Sequence, residues 1–437
     1  MTGKPFEGQH VDVLLVGGGV AAANTAEELR RNGFGGTIAL ATRESDPPYY
    51  RFYLTKEFLR GRIGRDDLSV HSPEWWEDND VRLWLRAPVT GLDLAARAAR
   101  IGRRAVTWGK VLLATGSNVR PLLCEGAGLR GVHHLRTTWN AADLHDDARP
   151  GDRAVVVGGS FIAAETAASL SAIGLDVTMV YPEDLPMTRA LGAPIGELVA
   201  AELARIGVRT IPGVTAESFA GTERVRTVLL SNGFRLPADV VVVGTGARRE
   251  TTLARSAGLT LGPAGGILCD STLRAHATVW AAGDVCEYHS LRLGRAVNIE
   301  HDRVAAAQGR HAARSMLGAT DAFDALPYFW TSIGDDLRID VLGADVPGRA
   351  QHRLEAGDQP GLAAGFAPHA STVAGFRYST SGRTVGYASI NGALNLRAVG
   401  RELERTTAAP PAQPAPGTPP NSAVPQFVSM PHRAGDV

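Results

Sequence analysis

Two stretches of the chain repeat one pattern of apolar and polar positions. The first opens with a nearly unbroken apolar run, Val11-Asp-Val-Leu-Leu-Val16, passes through Gly17-Gly-Gly19, and keeps apolar residues at helical spacing as far as Arg31. A second apolar run follows at 37–41. Short continuous apolar runs mark strands buried on both faces, as in a parallel sheet. The segment therefore predicts strand, glycine turn, helix, strand. The plan returns at Arg153-Ala-Val-Val-Val157, Gly158-Gly159-Ser160, a helix from Phe161, and a strand over 176–180. Each copy is followed by another apolar run that ends in small residues. The first ends in Ala114-Thr115-Gly116 and the second in Gly244-Thr245-Gly246.

Further along, Thr278-Val-Trp280-Ala-Ala-Gly283-Asp284 predicts a strand that ends on a single carboxylate. An amphipathic helix is expected over 302–317. From about residue 322 the pattern turns β-rich, with a hairpin at 373–379 and 384–390 around the turn 380–383, then a helix over 394–405. Residues 406–437 hold eight of the chain's 25 prolines in an Ala/Pro/Thr-rich run. That composition is expected to form a disordered tail.

The turns suggest the chemistry. In Gly17-x-Gly19-x-x-Ala22, Gly17 permits a tight turn and Gly19 lets the backbone approach a pyrophosphate. Ala22 lets helix and strand pack closely, and Val20 and Ala21 open the helix whose N-terminus faces the phosphates. Gly158, Gly159, Ser160, Phe161 and Ile162 repeat the arrangement. Two such units predict an α/β fold with two Rossmann-like dinucleotide-binding domains and a C-terminal α+β domain. Two dinucleotide sites imply two cofactors that meet, and the natural pair is a flavin and a nicotinamide. Asp284, at a strand's carboxyl end, sits where open parallel sheets bind ligands.

Composition narrows the classes. The chain has 437 residues, 44% hydrophobic and 21% charged, which suits two or three domains with real cores. Its 45 basic and 45 acidic residues cancel, so no global field favours nucleic acid or an anionic membrane. No apolar run reaches membrane-spanning length. The three cysteines, Cys124, Cys269 and Cys286, form no Cys-x-x-Cys, which argues against a dithiol shuttle and a zinc ribbon. The histidines show no ligand spacing, so no metal is expected. Few cysteines and no signal-like N-terminus point to the cytoplasm. Only Lys4, Lys56 and Lys110 are lysines among the basic residues, which singles out a lysine in any candidate site.

The ordered motifs resemble the FAD-dependent pyridine-nucleotide ferredoxin reductases. These include reductase components of aromatic-ring dioxygenase and cytochrome P450 systems, with monodehydroascorbate reductase and apoptosis-inducing factor as relatives. The resemblance covers roughly residues 9–405. Pro48-Tyr-Tyr-Arg51-Phe-Tyr-Leu-Thr-Lys56 stands where the family has Pro-Tyr-x-Arg-Pro-Pro-Leu-Ser-Lys, with Phe52 and Tyr53 in place of two prolines. It implies a glutathione-reductase-like flavoprotein. FAD would be bound by 1–120 and 248–322, NAD by the intervening 121–247, and 323–405 would form an interface domain.

Arg51, Lys56, Val89, Ala114, Thr115, Gly116, Arg136 and Asp284 are implied as FAD contacts, with Gly283 beside the last. Glu44, next to Arg43 at the usual acid position, is expected on the FAD ribose. Phe161 and Glu165 would lie beside the nicotinamide, with Glu165 approaching Lys56. Ser160 replaces a family glycine and puts a Cβ where the pyrophosphate must pass, with a hydroxyl able to donate a hydrogen bond in return. Glu183, in Tyr181-Pro-Glu183, lies about 25 residues beyond Gly158, near the ~20 of the fingerprint. A carboxylate there favours NADH, while Arg189 keeps NADPH open. Ile299-Glu300-His301, followed by Asp302, and Pro327-Tyr-Phe-Trp330-Thr331 resemble the family's flavin-edge motifs.

The resemblance implies electron transfer from NADH through FAD to a [2Fe-2S] ferredoxin serving an oxygenase, by a monomer or homodimer. Lys56, Glu165 and Trp330 would stand at the reacting edge. Two alternatives remain at this point. One is an NAD(P)H-dependent reductase of a quinone or a monodehydroascorbate-like radical. The other is a slowly turning redox sensor of the apoptosis-inducing-factor type.

Overall fold

One sheet draws its strands from two separated parts of the chain. In the computed structural model, which describes residues 9–343, 350–354 and 373–407, its spatial order is Arg274–His276, Val279–Ala281, Arg104–Leu113, His10–Val16, Ile38–Ala41, Val81–Trp84. The five strands from Val279–Ala281 to Val81–Trp84 are parallel. The antiparallel strands Val89–Asp93 and Ala98–Ile101 extend from Arg104–Leu113. Most residues of His10–Val16 and all of Ile38–Ala41 are buried, as expected for strands covered on both faces. The expected tail beyond residue 407 lies outside the described residues.

Helix Val20–Arg31 follows the first strand through a turn that needs glycine. Gly17 has φ 120°, and a Cβ there would stand 2.1 Å from the Ala114 carbonyl oxygen. The helix packs on helix Asp302–Met316 through small residues. A Cβ on Gly309 would lie 2.2 Å from Ala21 O, and Thr25 Oγ1 donates to Ala21 O and Gly309 O at 2.9 Å each. That close approach brings the carboxyl-terminal third of the chain over the first glycine turn.

The second parallel sheet has the order Arg209–Ile211, Asp176–Val180, Arg153–Val157, Val240–Val243, Val132–His133. Its turn repeats the first: Gly158 has φ 126°, and a Cβ would meet Gly244 O at 2.3 Å. The antiparallel pair Ser117–Val119 and Ala247–Arg249 lies where the chain passes between the two sheets. A third, antiparallel sheet comprises Tyr328–Ile333, Leu337–Gly343, Arg383–Ile390, Ala374–Thr380 and Ala350–Arg353. Its last helix is Leu396–Thr407, two residues later than the pattern suggested at either end; Asn395 Oδ1 accepts from the amides of Arg397 and Ala398 and fixes the start.

The first sheet keeps a buried core of its own. From the segment after its second strand, Tyr49, Leu54 and Leu59 instead pack with Ala164 and Leu170 of helix Phe161–Ala172 and with Ile333 and Phe376 of the third sheet, which ties the three parts together. Among the described residues no helix is long and apolar enough to cross a membrane, and no cluster of three metal-ligating side chains occurs.

Candidate nucleotide and electron-transfer site

A cavity of about 950 Å³ opens where the three parts converge. One end is floored by Gly17, Gly18, Gly19, Val20 and Ala21, with Thr42, Arg43 and Glu44 beside them. Gly19 caps helix Val20–Arg31 without a side chain, and nothing stands within 4 Å of where its Cβ would be. Uncapped helix amides therefore face open space, a ready-made diphosphate seat. Ala22 is fully buried behind this turn and does not line the cavity.

Along the walls stand Val89, Ala114, Thr115, Gly116, Arg136, Gly246, Gly283, Asp284, Glu300, His301 and Asp302. Asp284 Oδ2 accepts from Ser117 Oγ at 2.6 Å and from Arg136 Nη2 at 3.2 Å, so one oxygen is fixed and the carboxylate is oriented. Burial and the Asp284 charge raise Glu300 above the ordinary carboxylate range, although Arg249 Nη2 lies 2.7 Å from its Oε1. Helix Asp302–Met316 begins at this wall. Its first turn is already served by the chain, with His301 Nδ1 3.3 Å from Arg303 N and 2.8 Å from Asp302 Oδ1.

Glu44 is engaged within the protein. Its Oε1 pairs with Arg51 Nη2 at 2.5 Å, and its Oε2 accepts from Tyr49 Oη at 2.6 Å. Burial would raise this carboxyl, but Arg51 outweighs it and holds Glu44 below its usual range. Arg51 also donates to Arg136 O at 2.8 Å. Arg43 bonds Asn118 rather than turning into the cavity alone.

The far end is aromatic and carries a buried ion pair. Lys56 Nζ lies 2.7 Å from Glu165 Oε1, with the side chains 5% and 9% exposed. Glu165 also accepts from Thr55 Oγ1 at 2.5 Å and Thr331 Oγ1 at 2.6 Å. Lys56 donates further to Phe52 O at 3.2 Å and stands 5.1 Å from the Trp330 ring centre. Phe52 meets Trp330 edge-on at 5.4 Å, and Phe161 meets Phe329 edge-on at 5.7 Å. Thr55, Thr331, Phe329, Thr42 and Glu250 line the cavity without having been singled out as site residues. Thr55 adjoins Lys56 and Thr331 adjoins Trp330, which was the available signal.

Ser160, Phe161 and Ile162 bring the second glycine turn to the cavity edge. Gly158, Gly159, Glu183, Gly244 and Thr245 do not line it. They gather at the carboxyl ends of the second sheet, where the Glu183 Oε2 lies 3.2 Å from the Cβ position of Gly159. Ser160 Oγ donates to Gly244 O at 3.1 Å, so its hydroxyl is spent inside the turn rather than turned outward.

Comparison with known proteins converges on this arrangement. Residues 11–309 match the family model for pyridine nucleotide-disulphide oxidoreductases. The chain belongs to that family. A relative is the biphenyl dioxygenase system ferredoxin–NAD(+) reductase component of Paraburkholderia xenovorans, 34% identical over 79% of this chain and 84% of that one. Among solved structures, the ferredoxin reductase for the CYP199A2 system from Rhodopseudomonas palustris is 28% identical with a TM-score of 0.78, covering 87% of this chain and 91% of that one. The reductase in a covalent putidaredoxin reductase–putidaredoxin complex shares the fold at TM-score 0.81 and 24% identity, over 92% of this chain and 93% of that one.

The chain is accordingly an FAD-dependent NAD(P)H oxidoreductase with two dinucleotide-binding domains. Its residues fit the flavin: a side-chain-free helix start facing open space, an oriented Asp284 midway, and a buried cation at the aromatic end. The family's name includes a disulphide, but this chain places none at the cavity. Cys124, Cys269 and Cys286 are free, and the last two are buried with sulfurs 3.9 Å apart. Burial raises the Cys286 thiol, which keeps it an unreactive thiol.

Proposed function

We propose that this chain passes electrons from NADH through FAD to a [2Fe-2S] ferredoxin serving an oxygenase, in the cytoplasm. Segments 1–120 and 248–322 would hold FAD, 121–247 the nicotinamide dinucleotide, and 323–405 the interface. The observation that carries the reading is the Lys56–Glu165 pair. It joins the two glycine-turn units at one wall of a single cavity, where two nucleotides can meet. The relatives' ferredoxin-linked names support the acceptor class.

FAD, when bound, exchanges a two-electron hydride for single electrons. The protein's residues bind, orient and shield. The amides beginning helix Val20–Arg31 would hold the diphosphate. Asp284, aligned by Ser117 and Arg136, would accept a hydrogen bond from a hydroxyl of the linking sugar alcohol. Lys56 Nζ holds its proton between Glu165 Oε1 and Phe52 O, fixing a positive charge at the reacting end. Phe161 and Ile162 border the path of the visiting nicotinamide, and Phe52, Phe329 and Trp330 exclude water. The absence of a cysteine pair from the cavity lining fits electrons leaving from the aromatic edge.

Anaerobic stopped-flow mixing tests this. Rapid loss of the yellow absorbance with NADH, then rapid reduction of an added [2Fe-2S] ferredoxin, is the expected result. Bleaching that only a quinone reverses would refute the acceptor. Slow bleaching with a long-lived charge-transfer band would refute rapid turnover.

A further inference from the structure

His301 and Asp302 meet at the start of helix Asp302–Met316, and both line the cavity. His301 Nδ1 lies 2.8 Å from Asp302 Oδ1, and the two side chains are 18% and 15% exposed. A proton must lie between an imidazole nitrogen and a carboxylate oxygen at that distance, and the nitrogen is the stronger base. The approach of Arg303 N to the same nitrogen is longer, at 3.3 Å. Nδ1 therefore carries its hydrogen toward Asp302, which leaves the ring's lone pair on Nε2. The ring stands 5.6 Å from that of Phe329, which in turn meets Phe161, so it belongs to the aromatic end of the cavity. Among the described residues that line the cavity, it is the one imidazole.

The electron count calls for such a group. One NADH and two oxidised one-electron acceptors give NAD⁺, two reduced acceptors and one proton. The entering hydride adds one negative charge to a space sheltered from water, where charge is poorly screened. The charged groups across the cavity from the ring are already engaged. Glu165 holds Lys56, Thr55 and Thr331, Asp284 holds Ser117 and Arg136, and Glu300, next to the ring in sequence, faces Arg249. We propose that His301 is the proton-holding residue of this site and Asp302 its positioning residue. Nε2 takes up one proton from water when the hydride enters and returns it as the two electrons leave singly. Uptake and return cancel, so the net product is still the one proton of the hydride. The inference rests on the reading of this cavity as the place where a hydride is divided into single electrons.

The test is spectroelectrochemical titration of the FAD-loaded protein over a series of pH values, which needs neither NADH nor a partner protein. The slope of the midpoint potential against pH counts the protons bound per electron pair. In wild type the count should rise from one to two over an interval around neutral pH, where imidazoles titrate. It should return to one on either side, since the ring is protonated in both redox states below the interval and in neither above it. His301→Gln should stay at one throughout. Asp302→Asn should keep the interval but move it down by about one pH unit, a tenfold change in proton concentration, because an opposite charge has left the ring. A merely structural role would shift the potentials without changing the count. A wild-type count of one at every pH overturns the inference, as does a His301→Gln count equal to wild type. If His301→Gln does not hold FAD, Asp302→Asn decides, and an interval unmoved from wild type overturns the inference. Failure to reduce a ferredoxin would instead overturn the proposed function and leave the count untouched.

Discussion

The Lys56–Glu165 pair should behave as a coupled buried charge. The two groups are 2.7 Å apart and almost wholly buried, and Glu165 keeps only hydroxyl donors, Thr55 and Thr331, once the lysine is gone. Lys56→Met preserves most of the stem and removes the cation. Stranding a buried carboxylate in this way costs about 3–5 kcal/mol. Lys56→Met combined with Glu165→Gln removes both charges and leaves an amide among the hydroxyls. That double variant should cost only about 1–2 kcal/mol, so adding Glu165→Gln to Lys56→Met should recover roughly 2–3 kcal/mol, whereas Glu165→Gln alone should destabilise. The assay is urea unfolding of the FAD-loaded proteins at one fixed FAD concentration, since bound ligand adds stability by mass action. Tryptophan fluorescence and flavin release would be followed together. If the double variant loses as much as Lys56→Met alone, the two groups are not coupled and the electrostatic account of this wall is wrong.

Other outcomes are equally specific. Thr331→Val should cost about 1.5–3 kcal/mol in the same titration, the value of a hydrogen bond to a charged group, and a change below ~0.5 kcal/mol would contradict it. Gly158→Ala places a Cβ 2.3 Å from Gly244 O at φ 126°, so it should abolish bleaching by NADH while the purified protein stays yellow. Asp284→Ala leaves Ser117 and Arg136 without their shared acceptor and should yield protein that loses FAD on gel filtration; retention equal to wild type would argue against its role. Glu300 has a raised folded-state value, so its contribution to stability is present at low pH and lost as pH rises through that value. The melting temperature of Glu300→Gln relative to wild type should therefore climb as pH rises above the usual carboxylate value near 4.5, and a flat difference would refute the shift.

Local elements were readable because their causes are local. The runs at Arg153–Val157, Asp176–Val180 and Val240–Val243 form strands with those limits, since continuous apolar residues need cover on both faces. Gly17 and Gly158 stand where the backbone takes positive φ and a carbonyl crowds the missing Cβ. The third sheet was harder. Its hairpin of Ala374–Thr380 and Arg383–Ile390 was visible, whereas Tyr328–Ile333 and Leu337–Gly343 showed only as a β-rich stretch: the first is mostly half-buried, and the second buries a charged Asp340 that breaks its apolar run.

Two glycine-turn units, their strands and helices, and hence the class of ligand each can seat, follow from the order of residues along the chain. Those properties depend on backbone dihedrals and on side chains within a few residues. Packing of the whole chain was needed to bring Thr55, Lys56 and Thr331 onto the Glu165 carboxylate, to commit Glu44 to Arg51 and Tyr49, and to bond Ser160 to Gly244. Hydrogen bonds and ion pairs act over a few ångströms, and residues 110 or 166 positions apart reach that distance only after the three parts pack together.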